Sequence, residues 1–168
     1  VNSQGGAGEQ TALQWALSAK HYQVAEVLFK HGADLQLQSP TTSLDALHTT
    51  VRNICIDVNA VFLLLFWGAN TNSLDCNGDT PMTWLLEHRC RDEATFSEQY
   101  NDIIRLLVKY DSDPSTSSAK RTDGNSPLHL LVSTPMADLL TAFAVHQHKG
   151  VSPWIADEER TAFMKTKT

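Results

Sequence analysis

The sequence has few cysteines, few basic residues and no long apolar run. Its three cysteines, Cys55, Cys76 and Cys90, form no C-x-x-C pair, so neither a disulfide framework nor a zinc site is expected. Lys and Arg number 13 against 19 Asp and Glu, which leaves a net charge of −6. This balance argues against nucleic acid as the partner. The most apolar run, AVFLLLFWGA, falls well short of the roughly 20 residues that a membrane span needs.

Catalytic motifs are also missing. The sequence contains no G-x-x-x-x-G-K, G-x-S-x-G or H-E-x-x-H pattern. The seven histidines are scattered, and the pair His146 and His148 is interpreted as the solvated end of a helix rather than as a metal site. Cys90 lies between Arg89 and Arg91, which favours the thiolate, but no general base is indicated for it. We therefore expect no catalytic residue, no metal and no cofactor in this chain.

What the sequence does contain is a short segment that recurs along the chain. The intervals between successive copies are 34, 35, 46 and 35 residues, and each copy has a small polar residue followed by an apolar helical pattern. The copy SPLHLL is close to T-P-L-H-x-A, which at a period near 33 is the ankyrin signature. One helix pair cannot bury its apolar face alone, whereas stacked pairs share a continuous core. The copies open at Thr11, Asp45, Thr80, Ser126 and Thr161.

The recurrence predicts an all-α fold, an ankyrin-repeat solenoid of about four helix-turn-helix repeats plus a truncated fifth. We expect one domain over residues 1–168, and the starting segment VNSQGG reads as the cut edge of a longer protein. The segment 87–102 is an insertion, and the Ser-rich connector 112–124 is expected to be mobile. The predicted repeats are approximately 8–38, 42–73, 77–114, 123–152 and a partial unit at 158–168.

Several residues have structural roles in this prediction. Glycines after the second helix of a repeat suit the left-handed conformation that ends a helix. Prolines are tolerated at the first helical position because their missing N–H has no helical partner there. A histidine in T-P-L-H is expected to bond the backbone of a neighbouring turn, and His48 also occupies that position. The structural positions are Gly32, Gly68, Gly78, Pro81, Pro127 and His129.

Two tryptophans, Trp15 and Trp84, occupy the same place in their repeats, four residues after the opening residue. In a stacked array the first helices line the concave side, so such a side chain is expected to be half buried and half turned to the groove. Tryptophan combines a large apolar ring with a donor N–H, and it is frequent in binding hot spots. Packing between repeats and contact with a partner both remain open for these residues. Trp67 is predicted to pack in the core or at its rim.

Three stretches, VNSQGGAGEQTALQWA, DCNGDTPMTWLL and GNSPLHLLV, resemble successive units of the ankyrin-containing DHHC palmitoyltransferases in the same order. The resemblance implies that the parent is a membrane enzyme that moves palmitate from acyl-CoA to substrate cysteines, with its Asp-His-His-Cys domain downstream. It also implies that this domain faces the cytosol and recruits unstructured segments in a groove shaped by the tryptophan that matches Trp15. The candidate peptide-binding residues are Trp15, Gln14 and Trp84.

On this reading the partner is a protein or an extended peptide and not a nucleic acid, and the chain is a monomer. Membrane contact is expected only through the rest of the parent protein. That parent protein is expected in the Golgi or another endomembrane. The alternative is an unrelated ankyrin adaptor, such as a ubiquitin-ligase subunit or the scaffold of a pathogen effector. An enzyme in its own right is the third hypothesis. Turnover of acyl-CoA by the purified domain would support it.

Overall fold

A computed structural model describes residues 1–6, 9–53, 56–89, 98–110, 112 and 124–132. This part of the chain is mostly helical. Two short antiparallel strands, β1 (Gln4–Gly5) and β2 (Gln10–Thr11), precede the first helix, with Gln4 opposite Thr11 and Gly5 opposite Gln10. The helices are α1 (Ala12–Ser18), α2 (Tyr22–Lys30), α3 (Ala46–Arg52), α4 (Val58–Phe66), α5 (Pro81–Arg89), α6 (Glu98–Lys109) and α7 (Pro127–Val132).

These helices form successive pairs, α1 with α2, α3 with α4, and α5 with α6. The first helices of the pairs pack side by side in the order α1, α3, α5 and α7. Of the second helices, α4 packs on α6. This arrangement confirms the predicted all-α solenoid of helix-turn-helix repeats.

Helices α1, α3 and α5 each begin directly after the residue that the sequence pattern indicates, because a side-chain oxygen of that residue accepts an otherwise unpaired backbone N–H. Thr11 Oγ1 accepts from the amide of Gln14 at 3.2 Å, and Thr80 Oγ1 accepts from the amide of Thr83 at 3.1 Å. Asp45 caps α3 in the same way. Helices α5 and α7 start on Pro81 and Pro127, where proline has no helical hydrogen bond to lose.

Glycine follows the second helix in the first two pairs. Gly32 has φ 78° and Gly68 has φ 87°, so both take the left-handed conformation that costs glycine nothing. The residues after them donate back to the helix, Ala33 to the carbonyl of Leu28 at 3.0 Å and Ala69 to that of Leu64 at 2.9 Å. These bonds satisfy carbonyls that the helix end leaves open. Another glycine of positive φ, at position 78, lies in the turn before α5.

The core is built from equivalent residues of successive repeats. Leu13, Leu47 and Met82 occupy the same place in α1, α3 and α5, and all three are fully buried. The second helices contribute Leu64 and Leu107 in the same manner. Burial of each such side chain contributes on the order of 1.5–3 kcal/mol, so the apolar period of the sequence explains most of the stacking.

Side-chain amides join the turns of neighbouring repeats in a regular ladder. Gln4 Nε2 donates to the carbonyl of Gln38 at 3.1 Å, and Gln38 Nε2 in turn donates to the carbonyl of Leu74 at 3.2 Å. The hydroxyl of Tyr22 donates to Asp57, the residue that caps α4. These polar contacts set the spacing between repeats, and the sequence pattern did not indicate them.

Some of the sequence predictions lie outside the described residues. They concern most of the fourth repeat, the truncated fifth unit, the body of the 87–102 insertion and the Ser-rich connector. The individual residues that lie outside the described ranges are Cys55, Cys90, Arg91, His146, His148 and Thr161.

Candidate functional site

The indole of Trp15 is the most exposed large apolar side chain among the described residues, with 60% of its surface open to solvent. Helix α1 turns it outward because Leu13, Ala16 and Leu17 on the same helix are buried in the core. The exposed residues on either side of it, Ala12 and Ser18, are small. The ring is therefore accessible along the row of first helices.

Trp84 occupies the equivalent position in α5 but is only 9% exposed. The guanidinium carbon of Arg52 lies 5.1 Å from the centroid of its ring. His88, one turn further along α5, stacks on the indole with the ring centroids 4.6 Å apart and the planes at 7°. Trp84 is thus covered by a cation and by an aromatic ring, both of which favour contact with an indole face.

The first repeat lacks both of these covers. Ala19 stands one turn after Trp15, where α5 has His88, and a methyl group cannot stack on an indole. Arg52 reaches Trp84 from the repeat that precedes α5 in the chain, and no described repeat precedes α1. The two tryptophans share a register, but their surroundings differ.

Arg52 is held in place by an ion pair. Its Nη1 lies 3.2 Å from Oδ2 of Asp75, a fully buried carboxylate. The other carboxylate oxygen, Oδ1, accepts from the amides of Asn77 at 2.8 Å and Asp79 at 2.9 Å. No motif in the sequence marks Arg52. The available signal was its place seven residues after the opening Asp45, on the face of α3 that adjoins α5.

Gln14 is buried and engaged within the protein. Its Oε1 accepts from the amide of Thr11 at 2.7 Å, which completes a capping box with the Thr11 hydroxyl. Its Nε2 donates to Thr49 Oγ1 at 3.2 Å and so links α1 to α3. With 3% of its surface exposed, Gln14 offers nothing to a peptide. Of the three candidate binding residues, the structure leaves Trp15 accessible and places Gln14 and Trp84 in the protein interior.

The polar centre of the second repeat is a buried His48 and Asp45. His48 Nδ1 lies 3.0 Å from Asp45 Oδ1, and its Nε2 lies 3.0 Å from the backbone carbonyl of Asp79. Both partners are acceptors, so both ring nitrogens donate when the ring carries its second proton. Burial opposes the charge, but the bond to Asp45 and its negative charge outweigh burial and raise the pKa of His48.

The same contacts act in the opposite direction on Asp45. Burial favours the neutral acid, but the hydrogen bond and the charge of His48, with a further hydrogen bond from the Ser73 hydroxyl, lower the pKa of its carboxyl. The bond from His48 to the carbonyl of Asp79 joins two repeats, as expected for this position. This site is a structural ion pair and not an accessible one.

His129 is exposed, and its Nδ1 lies 2.8 Å from the hydroxyl and 3.3 Å from the amide nitrogen of Ser126, the residue before α7. This contact corresponds to that of His48 Nδ1 with Asp45. The turn that would follow this repeat lies outside the described residues. Trp67, at the end of α4, stacks on Phe29 with the ring centroids 5.1 Å apart, as predicted for a packing residue.

Within the described ranges, no three His, Cys, Asp or Glu side chains are grouped so that they could hold a metal ion. In that same part of the chain, no helix is both long enough and apolar enough to cross a bilayer. The described cysteine, Cys76, is a free thiol in an exposed turn.

Comparison with known proteins supports this class of fold. A family model described as ankyrin repeat matches residues 8–40. The ankyrin repeat protein FPV031 of fowlpox virus (strain NVSL) is 29% identical over 140 residues, which cover 81% of this chain and 37% of the viral protein. A crystal structure of an ankyrin repeat domain from Acinetobacter baumannii has a TM-score of 0.67 at 19% identity and covers 84% of this chain.

The described helix pairs and the structural likeness together show an ankyrin-repeat fold, and residues 8–40 match an ankyrin repeat. The chain spans 37% of the length of the viral relative and 66% of the bacterial domain. Ankyrin repeats are protein–protein interaction modules built as extended stacks.

Proposed function

We propose that the domain binds an extended segment of a partner protein against the exposed ring of Trp15. The observation that carries the proposal is the contrast between two tryptophans of one register, of which Trp84 is covered and Trp15 is 60% exposed. An exposed indole that the fold does not use for packing costs solvation free energy, and a partner that covers it recovers that free energy.

The surroundings of Trp15 suit a thin, extended ligand. Ala12, Ser18 and Ala19 are exposed and short, so a peptide backbone can approach the ring without displacing a long side chain. The helix beneath is anchored by its capping box and by the bond from Gln14 to Thr49. A rigid platform loses little conformational entropy when it binds, which favours affinity.

The test is a selection of extended peptides from a random library displayed on phage, with the domain immobilised. We expect the Trp15→Ala variant to bind the recovered peptides more weakly by about 2 kcal/mol or more, the loss typical of a hot-spot aromatic. Trp15→Phe should retain part of the affinity because it keeps an aromatic face. Val27→Ala, a change at another exposed apolar residue, serves as the matched control and should leave affinity unchanged.

Denaturation of each variant in urea separates binding from folding. A fall in the stability of Trp15→Ala with no change in affinity per folded molecule would mean that Trp15 serves only in packing. Peptides that bind equally to the native domain and to Trp15→Ala would contradict the proposed site.

The resemblance of the repeats to those of DHHC palmitoyltransferases supports a more specific role. In that role the domain recruits substrates to an S-acyltransferase domain of the same polypeptide and lies on the cytosolic face of an endomembrane. An exposed tryptophan in the TALQWA unit agrees with this role, since such a domain needs an open surface for unstructured substrates.

The natural polypeptide tests this role directly. Downstream of Thr168 we expect at least four apolar spans and an Asp-His-His-Cys segment, with acyl transfer to a substrate that depends on Trp15. A soluble adaptor box in their place would contradict the assignment without affecting the peptide site. Turnover of acyl-CoA by the isolated domain would contradict its role as a non-catalytic module.

A further inference from the structure

Three exposed apolar residues lie at one end of the solenoid, on the first helix pair. Val24 is 51% exposed and Val27 is 54% exposed, both on α2. Ala12, at the start of α1, is also exposed. We call Ala12, Val24 and Val27 together the stacking face.

In later repeats, the residues equivalent to the two valines are buried or partly buried. Alignment of the second helices on their last turns pairs Val24 with Ala60 of α4 and Val27 with Leu63, and both of these are buried in the shared core. The fully buried Ile103 of α6 is likewise equivalent to Val24.

The remaining positions of the stacking face follow the same rule. Leu106 of α6, equivalent to Val27, is partly buried and packs against the core. Ala46 and Pro81, the first residues of α3 and α5, are equivalent to Ala12, and both are buried. Two of these positions lie on the side of the preceding repeat, since Ala60 lines a cleft with Leu17 of α1 and Leu106 lines one with Val58 of α4. The first repeat therefore has the apolar residues of an internal unit and not the polar outer face of a capping unit.

We propose that the stacking face of Ala12, Val24 and Val27 binds a further two-helix repeat, which precedes Val1 in the natural polypeptide. This interface would continue the one inside the solenoid, because Ala60 and Leu106, which are equivalent to Val24 and Val27, each lie beside the preceding repeat. A repeat of the same type presents the matching surface, as α4 does to α6.

The size of the face favours a segment of the same polypeptide over a second copy. Three small or medium apolar side chains bury too little surface to offset the entropy lost when two separate molecules associate. A covalently attached repeat is present at a high effective concentration, so a narrow contact is sufficient. Trp15 lies on the same helix as Ala12, so the side chains that the added repeat places beside it decide how much of the indole stays open to a peptide.

The experiment compares the 168-residue chain with the polypeptide expressed from its natural start. Amide hydrogen exchange of α2 is the first measurement. We expect its protection to rise by about tenfold or more in the longer polypeptide, because a packed repeat restricts local opening. The double variant Val24→Lys with Val27→Lys is the second measurement. It should lower the thermal midpoint of the longer polypeptide and leave that of the 168-residue chain nearly unchanged.

Gln23→Lys is the matched control, because it places a cation on an exposed position of α2 outside the stacking face. It should change neither midpoint. Equal protection of α2 in the two polypeptides would overturn the proposal, as would a natural start without a preceding repeat. Concentration-dependent dimerisation of the 168-residue chain that the double lysine variant abolishes would also overturn it, in favour of a second copy.

Discussion

Arg52 of α3 places its guanidinium carbon 5.1 Å from the ring centroid of Trp84 on α5. This contact joins two neighbouring repeats across the row of first helices. It also explains why Trp84 is buried while Trp15, in the same register, is exposed. The difference between a packing residue and a binding residue in this protein lies in the neighbouring repeat.

The two tryptophans should therefore differ in their effect on stability. Trp84→Ala is expected to destabilise the domain by roughly 3 kcal/mol, because it opens a cavity beneath Arg52 and His88. Trp15→Ala should change stability by about 0.5 kcal/mol or less, as surface substitutions usually do. Urea denaturation followed by far-ultraviolet circular dichroism measures both. Equal losses in the two variants would show that Trp15 also packs in the fold.

The buried side-chain amide of Gln14 should contribute to the stability of the fold. Gln14→Ala removes the bond to the Thr11 amide and the bond to Thr49, and we expect a loss of about 2 kcal/mol. Gln14→Glu keeps an acceptor for Thr11 but loses the donor to Thr49, so it should lose less. The urea midpoints of the two variants rank these contributions. A neutral Gln14→Ala would refute the inferred link between the first two repeats.

The Asp45 and His48 pair should make stability depend on pH. The folded state raises the pKa of His48 above 6.5, so its contribution is complete below pH 6.5 and is lost as pH rises through the folded value. The folded state lowers the pKa of Asp45 below 3.8, so its contribution is complete above pH 3.8 and is lost as pH falls through the folded value. The pair therefore stabilises most between about pH 4 and pH 6.5.

The variant His48→Gln tests this pH dependence, because the first repeat already has a glutamine, Gln14, at the equivalent position. Measurements of unfolding free energy from pH 4 to pH 9 should show that native stability declines above pH 6.5 and that this decline is smaller in the variant. The nearby carboxylate of Asp75 also favours the charged ring, and the variant removes that contribution too. Identical slopes in the two proteins would exclude His48 as the titrating group.

Gly68 should tolerate substitution because the space around it is open. Its φ of 87° is unfavourable for other residues, but no atom lies within 4 Å of an added Cβ. Gly68→Ala should therefore cost only the conformational term, about 1 kcal/mol, and Gly68→Asn should cost less because asparagine enters the left-handed region more readily. Thermal denaturation of the two variants measures the difference. A much larger loss in Gly68→Ala would point to a steric contact.

Much of this fold was predictable because its signals are local. The helix starts at Thr11 and Thr80 follow from a hydroxyl that reaches an amide three residues later, and the helix ends follow from Gly32 and Gly68. Each of these interactions is contained within one turn of chain. The period of the apolar residues then requires stacking, since no single helix pair can bury its own face.

The candidate site was predictable only in part. The sequence marked Trp15 and Trp84 as equivalent. His88 covers Trp84 from within its own unit, whereas the cover by Arg52 comes from the preceding repeat and has no signal in the unit of Trp84. The burial of Gln14 could not be predicted from its own repeat either, because its partner Thr49 lies 35 residues further along the chain. Neither contact leaves a repeated pattern in the sequence.

The sequence by itself therefore determined the repeat, its caps and its apolar core, since hydrogen bonds within a turn and a helical apolar period act over a few residues. The tertiary structure decided which tryptophan is open, that the side-chain amide of Gln14 is buried, and that Val24 and Val27 of the first repeat are exposed. Burial of a side chain depends on what the adjacent repeat places against it, as Arg52 does for Trp84.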